Sequence, residues 1–440
     1  MRLAVLFFLI CMSLPAMAQE HPAIAQLRTM LGNGASLAFA RATPLPGPAE
    51  GVVLDDVVIT RDGQRGTIAS LSLSGLRANG VASLIARDMV SPSPDGPVRI
   101  GRIAVADLVG YRRTDGSAQQ PEDVKLRELV MEEVSIPGRP AIAIGRLTLN
   151  AYGLGQRSQG EIADLVVSGI PDNPVDGMSL GRIAFSGMDV AGLASAATAR
   201  RTPGGQPTGR QSVTLDNATL RGGGAVLGGL AGLTIEGEVN DQGSGTGRLA
   251  LRGLTAERTP LSAPFLAILG LDRLEASLAI EGNYDAAAGR LVIPAFALGV
   301  REVAALALGM TMDGMTPAAA QAQDPSRLRL IDARLRLADQ SLYRRLVQAQ
   351  AREQGGNAQS VRDQHAQIVA GMLTAARPDP AMEALREVLL RFIRGEINLV
   401  ELQARPTAPV PVMGLAAGAQ QGPAAIIRQL GLTARGERQP

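Results

Sequence analysis

Between Gly51 and Leu337 apolar residues recur at every second position in short runs, and Gly, Pro, Asp and Asn break the runs apart. A period of two is the signature of a strand with one covered and one wet face. In "TIASLSLSGL" the pattern predicts Ala69, Leu71 and Leu73 on one face and Ser70, Ser72 and Ser74 on the other. The Asp62-Gly63 pair before it is a turn signal that joins it to "VVLDDVVIT" as a hairpin. Five runs open on a Gly-Arg pair: Gly101-Arg102, Gly145-Arg146, Gly181-Arg182, Gly247-Arg248 and Gly289-Arg290. Their intervals of 44, 36, 66 and 42 residues are too irregular for a strict solenoid and fit an elaborated meander. Each glycine is expected to ease the exit from a turn, and each arginine to stand on the solvated outer face. Near the end of the region "RLRLIDARLRL" puts Leu328 and Leu330 on one parity and Leu335 and Leu337 on the other, which calls for a bulge or a tight turn near Asp332. Loops rich in small residues and proline fall at about 112–122, 196–211 and 316–326.

From Ala338 the period becomes helical. A helix over "ADQSLYRRLVQAQAREQ" is expected to be capped by Asp339, with Leu342 and Leu346 four apart, and the next to be capped by Ser360, with Ile368, Val369, Met372 and Leu373 on its apolar side. Asp379 as cap, Pro380 in the first turn and Gly395 as stop bound a third helix. A strand "INLVELQA", a short helix "PAAIIRQL" stopped by Gly431 and a strand-like "LTARG" follow. The organisation expected is a leader over 1–18, a helix and linker over 19–50, a repetitive β region over 51–337 and a helical region with returning strands over 338–440. The fold class is therefore mainly β with a helical C-terminal part (α+β), antiparallel.

The opening "MRLAVLFFLICMSLPAMAQE" has one charge at Arg2, an apolar run from Leu3 to Leu14 and a small-x-small triplet at Ala16-Met17-Ala18. That is the layout of a secretory leader, and the run is shorter than the roughly 18 residues of a spanning helix. Export to the periplasm is expected. Cleavage after Ala18 removes the one cysteine, Cys11, so neither a disulfide framework nor a thiolate metal site is available. Stability must come from apolar burial. Because only 2% of residues are aromatic and Trp is absent, aliphatic side chains have to do the packing. Basic residues number 43 against 41 acidic, with Lys125 the only lysine, and no block is dense enough to track phosphates. With so few aromatic platforms for base stacking, nucleic acid is not an expected partner.

The sequence offers little for catalysis. His21 and His365 are the two histidines, and His365 borders the apolar side of its helix, a packing position with no serine elbow or nucleophile pattern near it. A phosphate loop of the Gly-Lys kind is excluded by the position of Lys125, and "RGGGAVLGGLAGL" lacks the dinucleotide fingerprint. Asp55-Asp56 and Glu132-Glu133 are strand neighbours that point to opposite sides, and "NDQGSGTG" at 240–247 is a turn rather than a calcium loop. The expectation is a protein that is not an enzyme and uses no cofactor or metal.

The segments "SLGRIAFSGMDV", "GRLALRGLTAE" and "LEASLAIEGNYDAAAGRLVIPAFALGVREVAALALGMTMDGM" resemble the AsmA/TamB-like proteins of Gram-negative bacteria, including their YdgA-like relatives. The resemblance implies a long curved, taco-like β-sheet, here capped by about three to four helices, whose apolar concave side carries phospholipid or other acyl lipid and assists outer-membrane biogenesis. On that reading the lipid-facing residues are Ile103, Val105, Leu147, Leu149, Ile183, Phe185, Leu249, Leu251, Leu291 and Ile293. Peripheral membrane contact and cell-envelope protein partners follow as expectations. The alternative is a closed scaffold whose helices seal the apolar face, and a hydrolase is the remote third.

Overall fold

The fold is described from a computed structural model, for residues 21–31, 34–46, 51–61, 63–110, 120–200, 208–260, 262–322, 324–374, 379–415 and 422–439. The leader over 1–18, Asp62, most of the loop expected at 112–122 and the 201–207 part of the one expected at 196–211 lie outside the described residues. The chain is mainly antiparallel β-sheet with helices concentrated toward its C-terminal end, as its periodicity predicts. It divides into two compact units. The first runs to Gly138 and takes in Ile142–Ser158 and Asp189–Thr202; the second takes in Arg139–Ala141, Gln159–Met188 and the chain from Pro203 onward.

In the first unit helix α1 (Pro22–Leu31) precedes β1 (Ala35–Ala38), β2 (Arg41–Leu45), β3 (Gly51–Arg61), β4 (Gln64–Arg77), β5 (Gly80–Ser91), β6 (Val98–Gly110), β7 (Val124–Ile136) and β8 (Ala141–Tyr152). β1 and β2 both pair with β3, and from β3 to β8 each strand pairs with the next. α1 seals one face of the first strands: Ala23 and Ile24 pack with Val52, Leu54, Val57, Ile68, Leu71 and Leu73, and Ile103 borders that core. Helix α2 (Val190–Thr198) closes the unit, its cap Asp189 accepting from the Gly192 and Gly155 backbone N–H groups.

Simple alternation does not survive in these strands. Ala69, expected inside, is exposed, and Ile68 is buried in its place. The cause is a line of residues that leaves the ladder. Pairing runs from Asp55↔Ser70 to Val57↔Ile68, so Asp56 and Ala69 face each other unpaired; Asp88 stands likewise between Ala69 and Gly101, and Glu133 between Gly101 and Gly145. Asp56, Asp88 and Glu133 have φ of 53°, 50° and 55°, the left-handed region. Each strand thus spends one extra residue at the same level, and its apolar positions step by three there: Ile100 to Ile103, Met131 to Val134, Ile144 to Leu147. A bulge in one strand shifts register; bulges matched in every strand keep register and flip parity together.

The second unit contains β9 (Ser158–Ser168), β10 (Gly177–Met188), β11 (Gly209–Gly222), β12 (Ala225–Val239), β13 (Gly245–Glu257), helix α3 (Ala263–Leu269), β14 (Arg273–Asp285), β15 (Arg290–Val300), β16 (Ala304–Asp313), α4 (Pro317–Gln321) and β17 (Arg329–Asp339). α5 (Leu342–Gln354), α6 (Ala358–Met372) and α7 (Pro380–Arg394) follow, then β18 (Leu399–Ala404), β19 (Val410–Pro411), α8 (Pro423–Leu430) and β20 (Leu432–Glu437). Consecutive strands pair from β9 to β18, and β20 returns to pair with β18. The same matched line recurs as Gly181, Asn217 (φ 56°), Ala231 and Gly253 (φ 60°). The bulge expected near Asp332 is present: Thr311 faces Asp332 and Met312 faces Leu330, which leaves Ile331 as the extra residue. Pro294 sits in another register shift, where a strand can lack a donor.

The helices end where their punctuation says. Asp379 accepts from Ala381 and Met382, and Gly395 and Gly431 close α7 and α8 with left-handed φ. Two caps differ from expectation. Asn357, not Ser360, caps α6, because its carboxamide accepts from the Ser360 N–H one turn in. α5 begins after Ser341, while Asp339, the last residue of β17, accepts from Tyr343 N at 3.3 Å.

Candidate functional site

The feature that stands out chemically is an apolar face in the second unit. Directly paired residues carry it across the sheet in two rows. One row is Phe185–Val213–Ile235–Leu249–Ile280–Phe296–Leu308–Leu335, and the other is Ile183–Leu215–Leu233–Leu251–Leu278–Leu298–Leu306–Leu337. Neighbouring strands lie about 4.8 Å apart, so each row runs over about 34 Å. None of the sixteen side chains is buried; fourteen are half-buried, and Ile235 and Leu298 are exposed. Both rows continue onto β18 through Leu402 and Val400. There the helices take over, for Val388 and Phe392 of α7 pack on Val400, Leu402 and Ala434.

Of the ten residues expected to face a ligand, Ile183, Phe185, Leu249 and Leu251 lie on these two rows. Leu291 and Ile293 belong to shorter flanking rows, Tyr284–Leu291–Met312–Leu330 and Ile293–Met310–Ala333–Ala404. Ile103, Val105, Leu147 and Leu149 lie in the first unit, on Leu54–Leu71–Ala86–Ile103–Met131–Leu147 and Val52–Leu73–Leu84–Val105–Leu129–Leu149. Those rows start in the core under α1 and are half-buried from β6 to β8. The residues missed are the partners on β11, β12, β14, β15, β16 and β17. These residues are apolar pairs two apart that do not directly follow a Gly-Arg, so their matching spacing is the signal the sequence offers.

Within each unit the face opposite the apolar rows explains the Gly-Arg pairs. All five arginines meet a carboxylate on a neighbouring strand: Arg102 and Arg146 share Glu132 at 3.2 and 3.6 Å, Arg182 reaches Glu161 at 2.8 Å, Arg248 reaches Glu281 at 3.6 Å and Arg290 reaches Asp313 at 2.8 Å. They are outer-face residues, as expected, and they stitch strand to strand. Three of the glycines have a different role from the one expected. Gly101, Gly145 and Gly181 lie inside strands, at the matched line, and not at turns. A Cβ on Gly101 would sit 2.6 Å from Glu133 Oε2, and one on Gly181 would sit 3.1 Å from Asn217 Cβ. Gly289, with φ 59°, is the one that does leave a turn.

A recess of about 610 Å³ on this arginine face has a floor of paired small residues, Ala250–Ala279–Ala297–Ala307, with Arg248, Arg252 and Arg336 at its rim. Farther along, Glu401 bonds Arg334 at 2.9 Å, and that bond, with Arg336 and Arg435 near, holds its carboxyl below the ordinary glutamate value of 4.5.

His365 is a packing residue. Its Nε2 faces Gln350 Oε1 at 3.1 Å and its Nδ1 faces the Tyr343 hydroxyl at 3.1 Å, a pairing satisfied when Nε2 donates and Nδ1 accepts. Burial pushes the Tyr343 phenol up from its usual value of 10.0, and its ring lies 5.4 Å from Phe392. Asp55 and Glu132 are engaged with arginines, and Asp56 and Glu133 occupy the left-handed line. Among the described residues no group of three or more His, Cys, Asp or Glu could hold a metal, and no helix is long and apolar enough to cross a membrane.

A family model described as "Uncharacterized protein" matches residues 297–437, the stretch from β15 through β20 that includes the helices packed on the end of the apolar rows. No curated protein matches the chain, and no solved structure matches it.

Proposed function

We propose that this is an exported envelope protein that binds lipid acyl chains along the leucine rows of its second unit, as a periplasmic carrier or holder in outer-membrane biogenesis related to the AsmA/TamB-like proteins. The observation that carries the reading is the pair of uninterrupted apolar rows, none of whose side chains is buried, across eight strands. Contiguous apolar surface of this extent marks a site of interaction. Its long dimension suits a linear hydrocarbon. Each buried methylene contributes about 0.8 kcal/mol, so about ten laid along a row supply the roughly 8 kcal/mol of micromolar binding before association costs.

Native mass spectrometry with lipid extraction, on protein purified from periplasm without detergent, tests this directly. Bound phospholipid is expected, and its loss in Leu251→Arg and Leu278→Arg with an unchanged circular dichroism spectrum. A clean unliganded mass together with no uptake from liposomes would overturn the proposal.

A further inference from the structure

The seven residues of α3, "APFLAIL", include no polar side chain. One face is used internally: α3 lies against α5, with Leu266 and Leu269 at 1% and 7% exposure. The opposite face carries Pro264, Phe265, Ala267 and Ile268, all exposed, Phe265 at 58% and Ile268 at 49%. A helix on a soluble surface ordinarily turns polar residues outward, and this one has none to turn. It is also held rigidly. Arg345 donates to the Leu269 and Gly270 carbonyls at 2.6 and 3.1 Å, and Gly270 ends the helix with φ of 60°.

The apolar tip is not isolated. β13 and β14, which α3 connects, end beside the β11–β12 turn, where Leu220, Val226 and Leu254 are exposed as well. At the base of the tip stand Arg258 paired with Asp272 at 3.1 Å and Arg273 paired with Glu257 at 3.2 Å, the arginines more than half exposed. That makes two exposed guanidinium groups and two carboxylates around an apolar projection. Arginine meets lipid phosphate bidentately, and the carboxylates offer acceptors to an ammonium headgroup. An aromatic and a branched aliphatic side chain above such a collar match the boundary between headgroups and acyl chains.

We infer that α3 is a membrane-docking tip, whose Phe265 and Ile268 enter the interfacial layer of a phospholipid bilayer while the arginine collar engages headgroup phosphates. The site is separate from the acyl-binding rows and does not depend on them.

The natural chain has no tryptophan, so Phe265→Trp places a single indole at the tip. With vesicles of phosphatidylethanolamine and phosphatidylglycerol its emission moves to the blue and is quenched when the acyl chains are brominated. Ile268→Cys carrying a polarity-sensitive dye repeats the reading without touching Phe265. The Phe265→Ser, Ile268→Ser double variant, folded by circular dichroism, loses vesicle affinity by about a hundredfold, the cost of withdrawing two large apolar side chains. Unshifted probes, or a double variant that floats with vesicles as the parent does, sink the inference. Lipid recovered from detergent-free protein that fails these tests leaves the acyl-binding rows in place and removes the docking tip alone; vesicle docking by protein that carries no lipid does the reverse.

Discussion

Left-handed backbone costs a residue other than glycine roughly 1–2 kcal/mol, with Asn and Asp the best tolerated. The chain accepts that cost repeatedly inside strands, at Asp56, Asp88, Asp107, Asp164 and Asn217. Asp88 is exposed, so its substitutions read out backbone alone. Asp88→Gly is expected to hold or slightly raise the melting temperature, and Asp88→Val to lower stability by about 1–2 kcal/mol in denaturant titration. Equal effects would mean the position is not left-handed in solution. Gly101→Ala should cost about 1–3 kcal/mol, because its methyl must displace the Glu133 side chain that lies across it. These residues also account for the parity change at Ala69 and Ile68. Alternation counted straight through "TIASLSLSGL" assigns Ala69 to the core, whereas the step of three between Ile68 and Leu71 assigns Ile68. The information was present in the spacing, but a single strand does not reveal that its neighbours flip parity at the same level.

Among the elements, the C-terminal helices were the most legible, because their ends are set by local chemistry. Asp379-Pro380 and Gly395 need no tertiary context to bound α7. Asn357 and Ser360 are both competent caps three residues apart, and sequence gives no ground for choosing; geometry chose the asparagine. The apolar face was half legible. The pairs that directly follow Gly-Arg on β10 and β13 mark the rows, whereas their partners on the other six strands follow only from pairing, which is a long-range fact. β18 supplies a pH test. Glu401 has its pKa depressed by Arg334, so its contribution to stability is present above the unfolded glutamate value and is lost as pH falls through the folded one. Glu401→Gln should therefore lower the melting temperature at neutral pH, with the difference from the parent closing as pH falls below the ordinary glutamate value of 4.5. A difference that stays constant to pH 3 would place the effect in packing rather than charge.

At the scale of the molecule, the two faces of the sheet within each unit divide the work: one is apolar, and the other holds strands together through arginine and carboxylate. Those ion pairs are partly in water, with arginine side chains 35–59% exposed in the Gly-Arg set. Exposed pairs contribute about 0–1 kcal/mol each and are screened by salt. Added sodium chloride at about 1 M, where the screening length is about 3 Å, is thus expected to shift the denaturant midpoint only slightly, with no loss of sheet by circular dichroism. A collapse of the sheet in salt would show that the stitching, not burial, holds it. The rows have a further consequence. The β11–β12 hairpin turns on Gly223-Gly224 and adds one residue pair to each row. Duplicating or deleting a whole hairpin leaves its neighbours' parity unchanged, so hairpin copy number is a coordinate along which a lineage can lengthen or shorten such a sheet without redesigning either face.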